Sequence, residues 1–222
     1  MIEKDIRNIF LGFPEIIYGF TDIAYSEYAG SYKSALVFAV PYGEQLTTAN
    51  YSEKRFEKGI QDAREIVETI LTQLKKTLEA HEVEYYIPPV AQNNETDLKA
   101  PFSFKFAAVN AGLGWIGKND VVITEKYGPR IRLSAVLINE QFVYGEKTVK
   151  SNCPENCRKC VEACPYGALH GVQWDINSLR NDIIDYRLCN EKRSLYSKTR
   201  GRKNACGLCM VACPFGVLFK KF

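Results

Sequence analysis

The chain has 222 residues, 46% hydrophobic and 25% charged, with a formal net charge of +3. That balance belongs to a soluble globular protein, and no apolar run reaches the roughly 18 residues that a membrane-spanning helix requires, so no membrane anchor is expected. The length suits one domain of ordinary size plus a small one, and the opening Met-Ile-Glu-Lys-Asp-Ile-Arg has no apolar signal region, which points to the reducing cytoplasm.

In chain order, residues 35–40 form a continuous apolar run closed by Pro41, Tyr42 and Gly43, which suits a buried strand better than a helix of that length. Residues 53–80 carry Phe56, Ile60, Ala63, Ile66, Val67, Ile70, Leu71, Leu74 and Leu78 at helical spacing with charges opposite, the pattern of a long amphipathic helix. Residues 85–87, ahead of Pro88 and Pro89, are a second strand candidate. Residues 121–124 and 131–138 flank Lys126-Tyr127-Gly128-Pro129, and most simply form an antiparallel hairpin. Strands interleaved with helices, together with a hairpin, predict an α+β fold with a mixed or antiparallel sheet.

Between those strands runs Ala111-Gly-Leu-Gly-Trp-Ile-Gly-Lys-Asn119. Gly112, Gly114 and Gly117 let backbone approach a ligand or another segment closely, while Trp115 and Lys118 offer an aromatic wall and a cation. A glycine-rich structural turn is the competing reading. The spacing also matches a dinucleotide-binding fingerprint, but no clear strand precedes it and a strand follows where that motif opens a helix, so the nucleotide reading is rejected.

All eight cysteines lie between residues 153 and 213. They read Cys153-x3-Cys157-x2-Cys160-x3-Cys164-Pro165, then Cys189, then Cys206-x2-Cys209-x3-Cys213-Pro214. Two runs of this form are the signature of two 4Fe-4S cubanes, in which the cysteine before the proline ligates the other cubane. Applied here, Cys153, Cys157, Cys160 and Cys213 hold one cubane and Cys164, Cys189, Cys206 and Cys209 the other. The first gap is one residue wider than the ferredoxin run, which makes Cys153 the least regular member. Structural zinc also uses C-x2-C pairs, and disulfides are the other alternative, but neither calls for two C-x2-C-x3-C-P runs in a reducing compartment.

Charge is distributed unevenly. Residues 1–150 carry 17 basic and 20 acidic side chains, and residues 151–222 carry 12 and 6. Seven basic residues and one acid fall within 187–203, including Lys198, Arg200, Arg202 and Lys203. This stretch serves either as counter-charge for the cubanes or as a phosphate-binding patch for RNA. Composition and cysteine placement divide the chain at about residue 150, into an α+β cofactor- and substrate-binding domain (1–150) and a cubane module (151–222).

The AGLGWIGKN stretch, the YGPRIRL segment, the early PYGEQL, the C-x2-C-x3-CPYGAL run and the late CGLCMVACP together resemble the epoxyqueuosine reductase family. The resemblance covers most of the chain and extends to the plan of the reductive dehalogenases. It implies an α+β core akin to nitroreductase and cobalamin-processing folds, followed by a ferredoxin-like module with two 4Fe-4S cubanes. Electrons from a donor such as ferredoxin or flavodoxin would pass through the cubanes to cobalamin for reduction of a tRNA-borne substrate. The resemblance implies cofactor-binding roles for Gly112, Gly114, Trp115, Gly117 and Lys118, and tRNA contact through 187–203. One departure concerns the proton donor: the family has an aspartate three residues before a proline, whereas this chain places Leu98 there, ahead of Pro101. Asp97, one residue out of register, is the candidate catalytic acid, and Glu95 a weaker one. An electron carrier or reductive activator with no chemistry of its own, and an RNA-binding module with structural cubanes, are the two other functional classes.

Overall fold

The computed structural model describes residues 2–89, 100–200 and 206–216. The chain forms two compact units, neither of them continuous in sequence. The first comprises Met1–Pro41, Ala63–Leu113 and Arg132–Thr148, and the second Tyr42–Asp62, Gly114–Ile131 and Val149–Phe222. Residue 149 is thus where the last segment of the second unit begins, and two earlier segments join it there.

The first unit is built on a four-stranded sheet. Its strands are β1 (Ile17–Thr21), β2 (Ser34–Pro41), β3 (Tyr85–Tyr86) and β6 (Ile131–Ile138), in the order β1-β2-β6-β3. β1 pairs antiparallel with β2, Ile17 opposite Ala39 and Thr21 opposite Ala35, and β3 pairs antiparallel with β6. β2 is an interior strand, which accounts for its unbroken apolar run: Ser34 through Val40 are all buried.

Helix α1 (Ile2–Leu11) buries Ile6 and Phe10, one turn apart, and carries the exposed Glu3–Arg7 ion pair at 2.6 Å. The Phe10 ring stacks on Tyr18 of β1 at 3.9 Å. Helix α2 (Glu53–Ala80) contributes Ala63, Val67, Ile70, Leu71, Leu74 and Leu78 to this core, the stripe expected from its periodicity, whereas Ile66 is about one-third exposed. It ends where Glu82 turns left-handed (φ 53°) and the Val83 amide reaches back to the Leu78 carbonyl at 3.0 Å, satisfying an otherwise orphaned acceptor. Helix α3 (Phe104–Asn110) starts at Ser103, whose hydroxyl accepts from the Phe106 amide at 3.3 Å.

The second unit holds a two-stranded ribbon, β4 (Trp115–Ile116) and β5 (Val122–Ile123), with Trp115 opposite Ile123. Four helices follow: α4 (Lys159–Glu162), α5 (Arg180–Ile183), α6 (Tyr186–Arg200) and α7 (Leu208–Val211). The ribbon corrects one expectation. Residues 121–124 do not pair with 131–138; β5 folds back on β4, and β6 inserts between β2 and β3 of the first unit. The Lys126-Tyr127-Gly128-Pro129 turn survives only as a bridge between Thr124 and Gly128. Local turn chemistry is satisfied by that bridge, and the eight apolar-rich residues of β6 bury more surface inside the larger sheet than on a hairpin partner of two residues.

Candidate metal centre

The second unit uses one short motif twice. In the first copy Cys160 lies within α4, the Cys164 amide bonds the Val161 carbonyl, and Cys164-Pro165-Tyr166 leads to left-handed Gly167. In the second, Cys209 lies within α7, the Cys213 amide bonds the Met210 carbonyl, and Cys213-Pro214-Phe215 leads to left-handed Gly216. Proline lacks the amide hydrogen that would extend each helical turn, so both turns stop at the cysteine before it. α4 and α7 pack on one another, which brings two runs some fifty residues apart in sequence together.

All eight cysteines are free thiols. Cys153, Cys157 and Cys160 line a small cavity together with Cys213 from the other run. Lys118, Asn119 and Ile123 of the ribbon and Pro154, Pro214 and Phe215 complete its wall. Cys160 also belongs to a second group. Cys164, Cys189 and Cys209 pack around an apolar group formed by Cys160, Ala168, Leu169 and Ile184, and Cys206 is close enough to Cys189 and Cys209 to perturb both. Cys153, Cys157, Cys160 and Cys213 thus share one wall, while Cys164, Cys189 and Cys209 pack about Cys160, with Cys206 near two of them.

Burial dominates their acidity. The Cys160 thiol is pushed up to about 11 by burial first and then by the neighbouring Cys153 and Cys157. Cys213 is also pushed up to about 11 by burial, against the opposing influence of the Phe215 backbone and Arg130. Burial and then Cys206 push Cys209 up strongly. In the metal-free protein these thiols keep protons that the unfolded chain begins to release near an ordinary cysteine value of about 8.5. Above that pH the unfolded state binds fewer protons, so folding stability declines as pH rises toward 11 and is unaffected by these groups below pH 8. Thermal melts of the metal-free chain should fall between pH 8 and 11, less steeply in Cys160→Ser, and an equal slope in the variant would refute the assignment.

The ribbon braces both cysteine runs. Lys118 is 3% exposed, and its Nζ donates to the carbonyls of Pro154 (3.1 Å), Glu155 (2.6 Å) and Cys157 (3.1 Å), all in the first run. Asn119 Nδ2 donates to the Cys209 carbonyl at 3.2 Å in the second. Arg130, also buried, donates to the carbonyls of Met210 (3.0 Å), Cys213 (3.2 Å) and Phe215. Desolvation lowers the affinity of Arg130 for its proton, and the Cys213 sulfur partly restores it. At the start of α2, Phe56 seats left-handed Gly207, where a Cβ would come within 2.2 Å of the ring. Sequence alone presents Arg130 only as a residue able to line the pocket mouth, and assigns no role beside the cysteines to Asn119 or Phe56. A buried arginine beside Gly128-Pro129 in a strand-flanking turn was the one available signal for Arg130.

The glycine-rich stretch is spent on the chain itself. A Cβ on Gly112 would lie 2.6 Å from the Glu146 carbonyl oxygen, one on Gly114 2.1 Å from that of Ile123, and one on Gly117 2.2 Å from the Ile123 side chain. Trp115 is buried, packs edge-on against Phe215 at 4.9 Å, and shares an apolar group with Ile123, Cys213 and Cys153. Its indole N–H has no hydrogen-bond partner among the described residues. Glu95, Asp97 and Leu98 lie outside the described residues, as do Arg202 and Lys203 of the basic stretch. His81 pairs with Asp5 at 2.9 Å and His170 meets the Asp182 carbonyl at 3.2 Å, both away from the cysteines.

No protein-family profile matches the chain. An epoxyqueuosine reductase of Listeria monocytogenes is 27% identical over 226 residues, covering 97% of this chain and 56% of the relative. A solved epoxyqueuosine reductase in complex with an epoxyqueuosine-modified tRNA-Tyr stem loop superposes with a TM-score of 0.63 at 16% identity, over 98% of this chain and 66% of that one. A reductive dehalogenase, whose structure is described as suggesting a mechanism for B12-dependent dehalogenation, superposes with a TM-score of 0.68 at 16% identity, over 94% of this chain and 31% of that one. The fold is thus an α+β fold shared with epoxyqueuosine reductases and reductive dehalogenases. Within that class, the sequence is similar over most of its length to curated epoxyqueuosine reductases, at 27% and 28% identity over 97% and 82% of this chain. It spans about half the length of the curated relatives it matches, 56% and 48% of two of them. Among the described residues no helix is long and apolar enough to cross a membrane.

Proposed function

We propose that this chain is an iron-sulfur reductase that passes single electrons through two 4Fe-4S cubanes in a ferredoxin-like module. The carrying observation is the cavity lined by Cys153, Cys157 and Cys160 of one run and Cys213 of the other. These residues fit the group: four sulfur donors face one space, and a buried indole N–H without a partner lies in the same apolar group as two of them. The second set, Cys164, Cys189, Cys206 and Cys209, offers four more donors. When bound, such cubanes supply one-electron redox chemistry. The protein's part is to hold the thiols at fixed positions, which Lys118, Asn119 and Arg130 do through seven carbonyls, and to keep bulk water from the sulfurs with Ile123, Pro214 and Phe215.

A corrinoid as electron acceptor, and a tRNA-borne substrate, are supported by what the relatives bind and act on. The five residues that the sequence reading named for the corrinoid do not fit it: Gly112, Gly114 and Gly117 are closed by their own chain, and Trp115 and Lys118 are buried in the cysteine-bearing unit. No corrinoid contact is assigned to them, and this geometry favours the second reading, an electron-transfer protein or reductive activator fed by ferredoxin or flavodoxin. The basic face of α6, where Arg187 is exposed, is the proposed tRNA contact.

Anaerobic reconstitution tests all of this in one series. The loaded protein should contain about eight irons with matching sulfide. Added cobalamin should give a base-off cobalt spectrum, and tRNA should bind with an affinity that salt and the Arg187→Ala, Lys192→Ala pair weaken. Iron content near zero or tightly held zinc would refute the cubanes. Full iron with no cobalamin or tRNA response would leave the electron carrier.

A further inference from the structure

We infer that Lys118 is a charge-compensating and positioning residue for the cubane assigned to Cys153, Cys157, Cys160 and Cys213, and that it raises the reduction potential of that cubane selectively. The inference rests on the proposed cubanes and goes beyond them. Lys118 is 3% exposed and all three of its N–H donors are used, on the carbonyls of Pro154, Glu155 and Cys157. No carboxylate pairs with it among the described residues. A buried ammonium whose only partners are neutral carbonyls is costly to hold, because partial charges do not replace the counter-ion it has lost from water. The one set of groups on its wall able to become anionic is the four thiols it shares the cavity with. As thiolates around an oxidised cubane they carry about −2 in all, and each added electron makes that charge more negative. A fixed cation at this position stabilises the reduced state more than the oxidised one, and out of water the effect is little screened.

The second set of thiols has a different electrostatic setting. The cations that act on Cys189 are Arg193 and Arg180. Arg180 has a side chain 43% exposed and already pairs with Asp120 at 3.1 Å, so its field at the sulfurs is partly neutralised and partly screened. Lys118 therefore distinguishes the two sites, and the AGLGWIGKN stretch acquires a function at the cubane in place of the corrinoid contact that the sequence suggested.

The test is an EPR-monitored redox titration of the anaerobically reconstituted full chain, with iron and sulfide determined on each sample. Lys118→Met and Lys118→Gln should each move one of the two cubane signals to lower potential and leave the other in place, while Lys118→Arg keeps the wild-type value. A neutral variant that loads fully and titrates like wild type overturns the inference, as does an equal shift of both signals, which would mark general loosening. If neither neutral variant loads the first cubane but Lys118→Arg does, the charge is required and the inference stands. If Lys118→Arg also fails to load, Lys118 is a brace of particular size and the electrostatic role is wrong. Wild-type protein without iron would instead sink the cubanes themselves, a result separable from all of these by its metal content.

Discussion

Cys213→Ser is expected to abolish the cubane assigned to Cys153, Cys157 and Cys160 and to spare the one assigned to its own sequence neighbours Cys206 and Cys209, halving iron and sulfide. Serine preserves size but is a poor soft-metal ligand, so the substitution removes a donor with little change in packing. The physical basis is that α7 and the proline after Cys213 direct the two halves of the run to different places. Cys209 is in the apolar group with Cys164 and Cys189, while Cys213 is on the cavity wall with the early run. The reciprocal change, Cys164→Ser, should remove the other cubane. EPR of the reduced proteins distinguishes the two signals, with Cys157→Ser as the reference for the first and Cys206→Ser for the second. A Cys213→Ser spectrum matching that of Cys206→Ser would show the wiring to be uncrossed.

Gly114→Ala should be among the most damaging single-methyl substitutions at the described glycines. The added carbon would fall 2.1 Å from the Ile123 carbonyl oxygen and 2.9 Å from its carbonyl carbon, both backbone atoms paired across the ribbon, so no side-chain rotation relieves the overlap. The ribbon must separate, and with it go the braces from Lys118, Asn119 and Arg130 to both cysteine runs. Destabilisation on the order of 4 kcal/mol or more is expected, a large part of the roughly 5–15 kcal/mol that a domain possesses. Gly43→Ala is the control: nothing lies within 4 Å of its added Cβ, and its effect should stay within about 0.5 kcal/mol. Chemical denaturation of both variants decides the matter, and similar midpoints for the two would mean that the ribbon tolerates opening.

Several elements follow from sequence because their cause is local. The 3.6-residue period of residues 63–78 produces the buried stripe of α2, and an apolar run without polar alternation marks β2 as covered on both faces. Ile66 departs from the period because it sits at the edge of that stripe, where helix rotation alone decides exposure. The turn at 126–129 was legible, yet the pairing inferred from it was not, since hydrogen-bond partners of a strand depend on which sheet offers more buried area. The same holds for the glycines of 112–117. Their demand for close approach is visible in sequence, and what approaches them is not. Glu146 and Ile123 stand where a Cβ on Gly112 or Gly114 would fall.

The cysteine spacing by itself carries the expectation of eight ligands in two crossed fours, because two- and three-residue gaps before a proline constrain which way a thiol can point. Only the tertiary structure decided what surrounds them. It returns residues 42–62 and 114–131 to the cysteine-bearing unit, and it buries Lys118 and Arg130 against that unit's carbonyls. Burial and charge compensation arise from segments distant in sequence, and no local pattern encodes which of them will meet.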